Sequence, residues 1–135
     1  MNELACAIHV AQGRYEDVVA LEQRLKHTNP AIARAPSVRA CFGQAHDGLG
    51  HTRRALELYL EVAAQLGDAT PPRLYTMIAR NHLELGETRA ARSWLDRARA
   101  AAARDQSLAA QVRSLEKRLR RQGRRSAVPP RASAP

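Results

Sequence analysis

Hydrophobic and polar positions alternate with helical spacing along the chain, and glycines interrupt the pattern at nearly constant intervals. Gly13, Gly50, Gly86 and Gly123 are separated by 37, 36 and 37 residues. A period in the thirties, with a glycine between two helical patterns, is typical of stacked helical hairpins. We therefore predict an all-α fold in which each glycine forms the turn between two antiparallel helices.

Prolines and small polar residues between the helical patterns predict where the helices end. Thr28-Asn29-Pro30 closes the first pair, and Thr70 is expected to cap the third pair with Pro71 in its first turn. The predicted helices span residues 2–12, 14–27, 37–49, 51–66, 71–85, 87–104 and 107–122. One domain over residues 1–122 then contains units 1–30, 36–67 and 71–104 and a capping helix at 107–122. Residues 123–135 have almost nothing to bury and are predicted to form a disordered, basic, Pro-rich tail.

Side chains of alternating size stand at fixed distances from each glycine. In the second and third units a large residue stands eight positions before it and a small one seven positions before it. The second unit shows this best, with Phe42-Gly43, Leu49-Gly50, Ala55 and Tyr59, whereas the capping helix has Glu116 at the small position. These residues resemble the tetratricopeptide repeat (TPR) motif, although Val18 and Glu22 of the first unit fit it poorly. The resemblance covers the chain to about Gly123. It implies a right-handed α-solenoid of antiparallel hairpins, closed by a C-terminal capping helix.

Composition excludes several classes of protein. Aromatic residues make up 4% of the chain and hydrophobic residues 44%, a balance that suits closely packed helices and not sheet. No apolar run is long enough for a transmembrane helix, and the N-terminus does not have the pattern of a signal peptide. Cys6 and Cys41 are expected to be unpaired, buried small residues, which predicts a reducing, cytoplasmic location.

The basic excess lies entirely in the second half of the chain. Residues 1–71 contain seven Lys and Arg against eight Asp and Glu, whereas residues 72–135 contain fifteen against five. The net charges are therefore −1 and +10, which together give the +9 of the whole chain. Such asymmetry indicates an acidic partner or a basic tail.

The first helices of stacked hairpins line a concave groove where partners bind. The TPR resemblance implies ligand contacts at first-helix positions about ten, six and two to three residues before the turn glycine, with a further site one turn earlier in the third unit. Seven residues at these positions, together with Arg73 at the earlier site, are the candidate ligand contacts: Gln44, Asp47, Arg73, Thr76, Arg80, Arg113, Lys117 and Arg121. Their basic members form a strip in the C-terminal half of the predicted groove. The alternative to a ligand site is that these basic residues only form the solvent-exposed side of a capping helix.

The leading hypothesis is a non-enzymatic adaptor that binds an acidic peptide or helix in this groove. The alternative is contact with a polyanion, either nucleic acid or an acidic membrane, through the Arg-rich segment from Arg118 to Arg131. A third option is self-association through the first hairpin, which begins almost at Met1 without a capping element. The same feature suggests a piece of a longer repeat array, which we favour.

No motif supports catalysis, a metal site or a cofactor. His9, His46 and His82 recur four positions before the turn glycines. Equivalent residues on neighbouring helices lie about 8–10 Å apart, however, which is too far for one zinc ion with ligands at about 2 Å. We expect each of these histidines to pack with one hydrogen bond. The sequence lacks glycine-rich phosphate loops and the HExxH, GxSxG and CxxC motifs.

Overall fold

The computed structural model describes the backbone of residues 3–127 and the side chains of residues 6–124. The helices are α1 Glu3–Ala11, α2 Tyr15–Thr28, α3 Pro30–Ala33, α4 Pro36–Gly48, α5 Thr52–Leu66, α6 Pro72–Glu84, α7 Thr88–Ala101 and α8 Gln106–Ala127. Two 3₁₀ turns, Gly67–Ala69 and Ala102–Arg104, follow α5 and α7. Residues 3–127 contain no strand, so the predicted all-α class is confirmed.

The predicted helices agree closely with these bounds, with two differences. The short helix α3 was not predicted; its first N–H groups are capped by Asn29, whose side chain accepts a hydrogen bond from the Ile32 amide. Helix α8 continues past residue 122 to Ala127. The predicted tail is therefore helical in its first residues, and the remainder from residue 128, including Arg131, lies outside the described residues.

Three of the four spaced glycines form the predicted turns. Gly13, Gly50 and Gly86 have φ values of 73°, 80° and 76°, in the left-handed region that glycine adopts without steric cost. The fourth, Gly123, was also predicted to end a helix, and that prediction is wrong. It lies within α8, which continues without interruption from Gln106 to Ala127.

The contacts divide the chain between Thr70 and Pro71 into two compact units. Unit 1 contains α1–α5 and unit 2 contains α6–α8. The boundary falls between the second and third predicted repeats. The expectation that Thr70 caps α6 is wrong. Thr70 is buried, and its hydroxyl donates to the Gly67 carbonyl at 2.7 Å, so its hydrogen bond is with the last turn of unit 1.

In unit 1, α4 packs most extensively against α5 and also contacts α1 and α2. Phe42 and Tyr59 are buried, as the size pattern predicted. A Cβ atom at Gly43 would lie 2.5 Å from Cε1 of Tyr59, so this position can only be occupied by glycine if the tyrosine ring keeps its place. The alternation of small and large residues therefore sets the distance between α4 and α5.

Cys6 of α1 and Cys41 of α4 form a disulfide, so the expectation that both are unpaired is wrong. The two residues are 35 positions apart in sequence and both are buried. The separation is two residues shorter than the 37 residues between Gly13 and Gly50, so the two cysteines occupy different repeat positions on consecutive first helices. A cytoplasmic location can no longer be argued from unpaired cysteines, since disulfides persist mainly in oxidising compartments.

In unit 2, α6, α7 and α8 surround one hydrophobic core. Its buried members include Ala79, Leu83, Leu95, Val112 and Leu119, one or more from each helix. Tyr75 and Trp94 pack against this core with their ring centroids 5.8 Å apart. The three helices therefore form a compact unit with its own buried interior.

Helices α6 and α8 run side by side in the same direction. Thr76 Oγ1 of α6 lies 3.4 Å from Gln111 Oε1 of α8, and further along, Gln122 Nε2 donates to the Leu83 carbonyl at 3.0 Å. Residue numbers rise together along the two helices, which makes them parallel. Parallel first helices are what a repeat of helical hairpins requires.

Candidate functional site

One side of α6 is exposed and basic because its other sides are occupied. Thr76 and Leu83 are turned toward α8, and Tyr75 contacts Trp94 of α7. At 3.6 residues per turn, Arg73, Arg80 and Glu84 then fall on the remaining side of the helix. All three are exposed. This side of α6 therefore carries two arginines and one glutamate.

Helix α8 presents a matching exposed side. Gln111 and Gln122 face α6, and Glu116 is bound by Arg99 of α7 at 2.9 Å. At 3.6 residues per turn, Arg121 and Lys117 fall roughly 80–140° around α8 from the side that contacts α6, and both are exposed on the side opposite the core. Arg113 is also exposed but lies at the outer edge of this side. We call the five cations Arg73, Arg80, Arg113, Lys117 and Arg121 the α6–α8 basic face.

The charges of the α6–α8 basic face are only weakly compensated. Among the described residues, Arg113, Lys117 and Arg121 form no ion pair. Lys117 lies four positions from each of the other two, a spacing at which like charges on a helix repel. A negatively charged ligand would remove this repulsion, and planar guanidinium groups suit carboxylate or phosphate oxygens.

None of the other predicted groove residues is an exposed residue of unit 2. Thr76 is buried and its hydroxyl donates to the Arg73 carbonyl at 2.7 Å, so it is not available to a ligand. Gln44 and Asp47 lie in unit 1, both partly buried on α4. Asp47 accepts a hydrogen bond from the Tyr59 hydroxyl at 3.1 Å, which gives it a role in packing α4 against α5.

Two of the three spaced histidines pack with hydrogen bonds, His82 with one as expected and His46 with two, the second between its Nδ1 and His51 Nδ1 at 3.1 Å. The Nε2–H of His46 donates to Glu22 Oε1 at 2.8 Å, and His82 Nδ1 lies 3.0 Å from Glu87 Oε1. His9 departs from the expectation, because its Nδ1 is buried without a partner in the described part of the chain. No group of three His, Cys, Asp or Glu residues in that part could hold a metal ion.

Glu22 was predicted to fit its position poorly, and the structure gives the reason for its presence. It occupies the place of Tyr59 and Leu95 in the other units and is 1% exposed. Its second oxygen, Oε2, accepts from Arg54 Nη2 at 3.1 Å. A buried carboxylate is tolerated when charged and polar partners surround it. No sequence pattern indicated this cluster, because its members come from three helices.

Comparison with protein families, with curated proteins and with solved structures gives no match. The chemistry of the candidate site therefore rests on its own residues. No helix among residues 3–127 is both long and apolar enough to cross a membrane.

Proposed function

We propose that this protein is a non-enzymatic adaptor whose unit 2 binds an acidic peptide or helix along the α6–α8 basic face. One observation carries the proposal: five exposed cations lie on two parallel, adjacent helices, and all of them except Arg80 have no carboxylate partner among the described residues. A segment with several carboxylates would cross from α6 to α8 and contact cations on both.

Binding on this face requires several contacts at once. Single exposed ion pairs contribute only about 0.2–1 kcal/mol each, so one carboxylate would give no useful affinity. An acidic segment that contacts four or five cations would bind measurably and would dissociate as salt is added, because exposed charges are screened over roughly 8–10 Å at physiological ionic strength. Glu84 on the same side of α6 would disfavour a carboxylate beside it and so restrict where the segment lies.

The test is binding of a library of acidic peptides, measured by fluorescence anisotropy at two salt concentrations. We expect Arg80→Glu/Lys117→Glu to lose binding. The control is Arg89→Glu/Arg92→Glu, which changes the net charge equally on exposed positions of α7, and it should lose much less. Equal affinity of the wild type and the α6–α8 variant would contradict the proposal.

We also propose that the hairpins repeat in the TPR manner. The period, the left-handed turn glycines and the Gly43–Tyr59 contact support this arrangement. Cytoplasmic location stays a prediction.

A second candidate function is contact with a polyanion, nucleic acid or an acidic membrane, through α8. It is favoured by the helical state of Gly123, which joins the basic residues on either side of it into one helix. Arg113, Lys117, Arg120 and Arg124 are all exposed and recur at helical spacing. Such a row binds phosphates without base recognition, since no aromatic side chain is interleaved with it.

A further inference from the structure

Unit 1 contains a cavity of about 350 Å³ that none of the functions above uses. Its walls come from α2, from α3 with the residue that follows it, from α4 and from α5. We propose that this cavity binds a small phosphate dianion, either inorganic phosphate or a phosphomonoester. The volume is in the range of small-ligand sites.

Cations gather around the cavity although unit 1 as a whole is slightly acidic. Residues 1–70 contain seven Lys and Arg and eight Asp and Glu. Four of the seven cations line the cavity, namely Lys26, Arg34, Arg39 and Arg54, whereas only two of the eight carboxylates do so, Glu22 and Glu61. A surplus of two positive charges in an otherwise near-neutral unit is what a dianion site requires.

The two carboxylates in the wall already form ion pairs with basic residues, which compensate their negative charge. Glu22 is buried and shares its oxygens among His46 at 2.8 Å, Arg54 at 3.1 Å and Lys26 at 3.8 Å. Its fixed partners hold the carboxylate in the wall. Lys26 of α2 and Arg54 of α5 both contact this carboxylate, and the other terminal nitrogen of Arg54 donates to Glu57 at 3.3 Å.

The opposite side of the cavity carries two arginines that are more readily available. Arg39 Nε lies 3.3 Å from Glu61, whose side chain is 46% exposed and can turn toward solvent. Arg34 is exposed, and its side chain forms no hydrogen bond or ion pair with the described residues. A dianion would take Arg39 from Glu61 and would give Arg34 a partner.

The types of side chain favour phosphate over a carboxylate ligand. Three guanidinium groups and one ammonium from four segments can surround a tetrahedral group with several acceptor oxygens, whereas a carboxylate offers two oxygens in one plane. Pro30, Ala33 and Leu58 complete the wall with apolar surface. A carbon group on the phosphate would lie against these residues.

The experiment is a titration of the ¹⁵N-labelled full chain with inorganic phosphate, phenyl phosphate and succinate at constant ionic strength, followed by NMR. We expect saturable shifts at the amides of residues 33–35 and 37–39. Arg34→Gln should weaken phosphate binding about tenfold, the usual loss for one charge-assisted hydrogen bond. Arg24→Gln, an exposed arginine of α2 outside the cavity, is the matched control and should bind as the wild type does.

A second variant is expected to strengthen phosphate binding instead of weakening it. Glu61→Gln removes the carboxylate that competes for Arg39, so it should bind phosphate more tightly, while Glu16→Gln, exposed and outside the cavity, should not change binding. If phenyl phosphate binds more tightly than inorganic phosphate, the ligand of the cavity is a phosphomonoester. If the two bind equally, the ligand is inorganic phosphate. Shifts confined to α6 and α8, equal binding by Arg34→Gln and Arg24→Gln, or succinate binding as tightly as phosphate would overturn the proposal.

Discussion

Single residues of matched size hold the helices of unit 1 at close distance. Gly43 lies against the Tyr59 ring, and Gly48 stands in the same relation to Tyr15, where an added Cβ would lie 2.4 Å from the ring. Glu22 replaces an aromatic residue with a carboxylate and keeps its position through His46 and Arg54. The same repeat position thus accepts either a ring or a buried ion cluster.

Gly43→Ala should destabilise the protein. The added methyl group would overlap the buried Tyr59 ring, at a cost of about 1–3 kcal/mol for overpacking, which exceeds the gain of about 1 kcal/mol from better helix propensity. Gly123→Ala is the control, because nothing lies within 4 Å of its added Cβ and only the propensity gain applies. Urea unfolding measures both free energies of unfolding. Equal changes in the two variants would show that the ring does not constrain Gly43.

At the scale of the element, α8 combines two roles on different sides. Leu108, Val112, Leu115 and Leu119 are buried and complete the core of unit 2. Its exposed sides carry the basic residues, so that the helix closes the core and presents charge at the same time. Helical continuity through Gly123 lengthens this charged row by one turn beyond what the glycine spacing predicted.

If α8 binds polyanions, removing charge from its far end should change the salt dependence. Arg120→Gln/Arg124→Gln should lower the slope of log affinity against log salt by about 1.4 for single-stranded nucleic acid, since about 0.7 counterions are released per phosphate contact and two contacts are lost. The measurement is a salt series with a fluorescent oligonucleotide. Arg89→Gln/Arg92→Gln on α7 should keep the wild-type slope, and an unchanged slope in both variants would exclude α8 as the contact.

On the scale of the whole molecule, the chain consists of two units that are stabilised by different kinds of interaction. Unit 1 contains a disulfide and a buried ion cluster, whereas unit 2 relies on a core of Ala, Leu and Val side chains. The charge is divided in the same way, since the surplus of basic residues belongs to unit 2. The two proposed ligand sites accordingly lie in different units and can be tested separately.

Cys6→Ala/Cys41→Ala should lower the free energy of unfolding by about 4 kcal/mol, the value expected from chain entropy for a closed loop of this length. Urea unfolding without reductant measures the loss. The control is the same measurement with reductant, which should bring the wild type close to the variant and leave the variant unchanged. A wild type that is insensitive to reductant in this assay would contradict the pairing.

The sequence by itself determined the all-α class, the helix pairs and the turns at Gly13, Gly50 and Gly86. These features are local: they depend on helical periodicity, on the proline and glycine conformations and on side-chain size at fixed spacing. It also located the basic residues of α6 and α8, because the repeat period places equivalent positions on the same side of consecutive first helices.

Only the tertiary structure decided the rest. The Cys6–Cys41 bond, the Glu22 cluster and the cavity of unit 1 join residues from separate helices, and no linear spacing distinguishes them from unpaired residues. The burial of Thr76 depends on where α8 packs, and the spacing of the glycines did not show that Gly123, unlike the other three, lies inside a helix. Local patterns specify each helix, whereas the contacts between helices select which of their side chains remain available to a ligand.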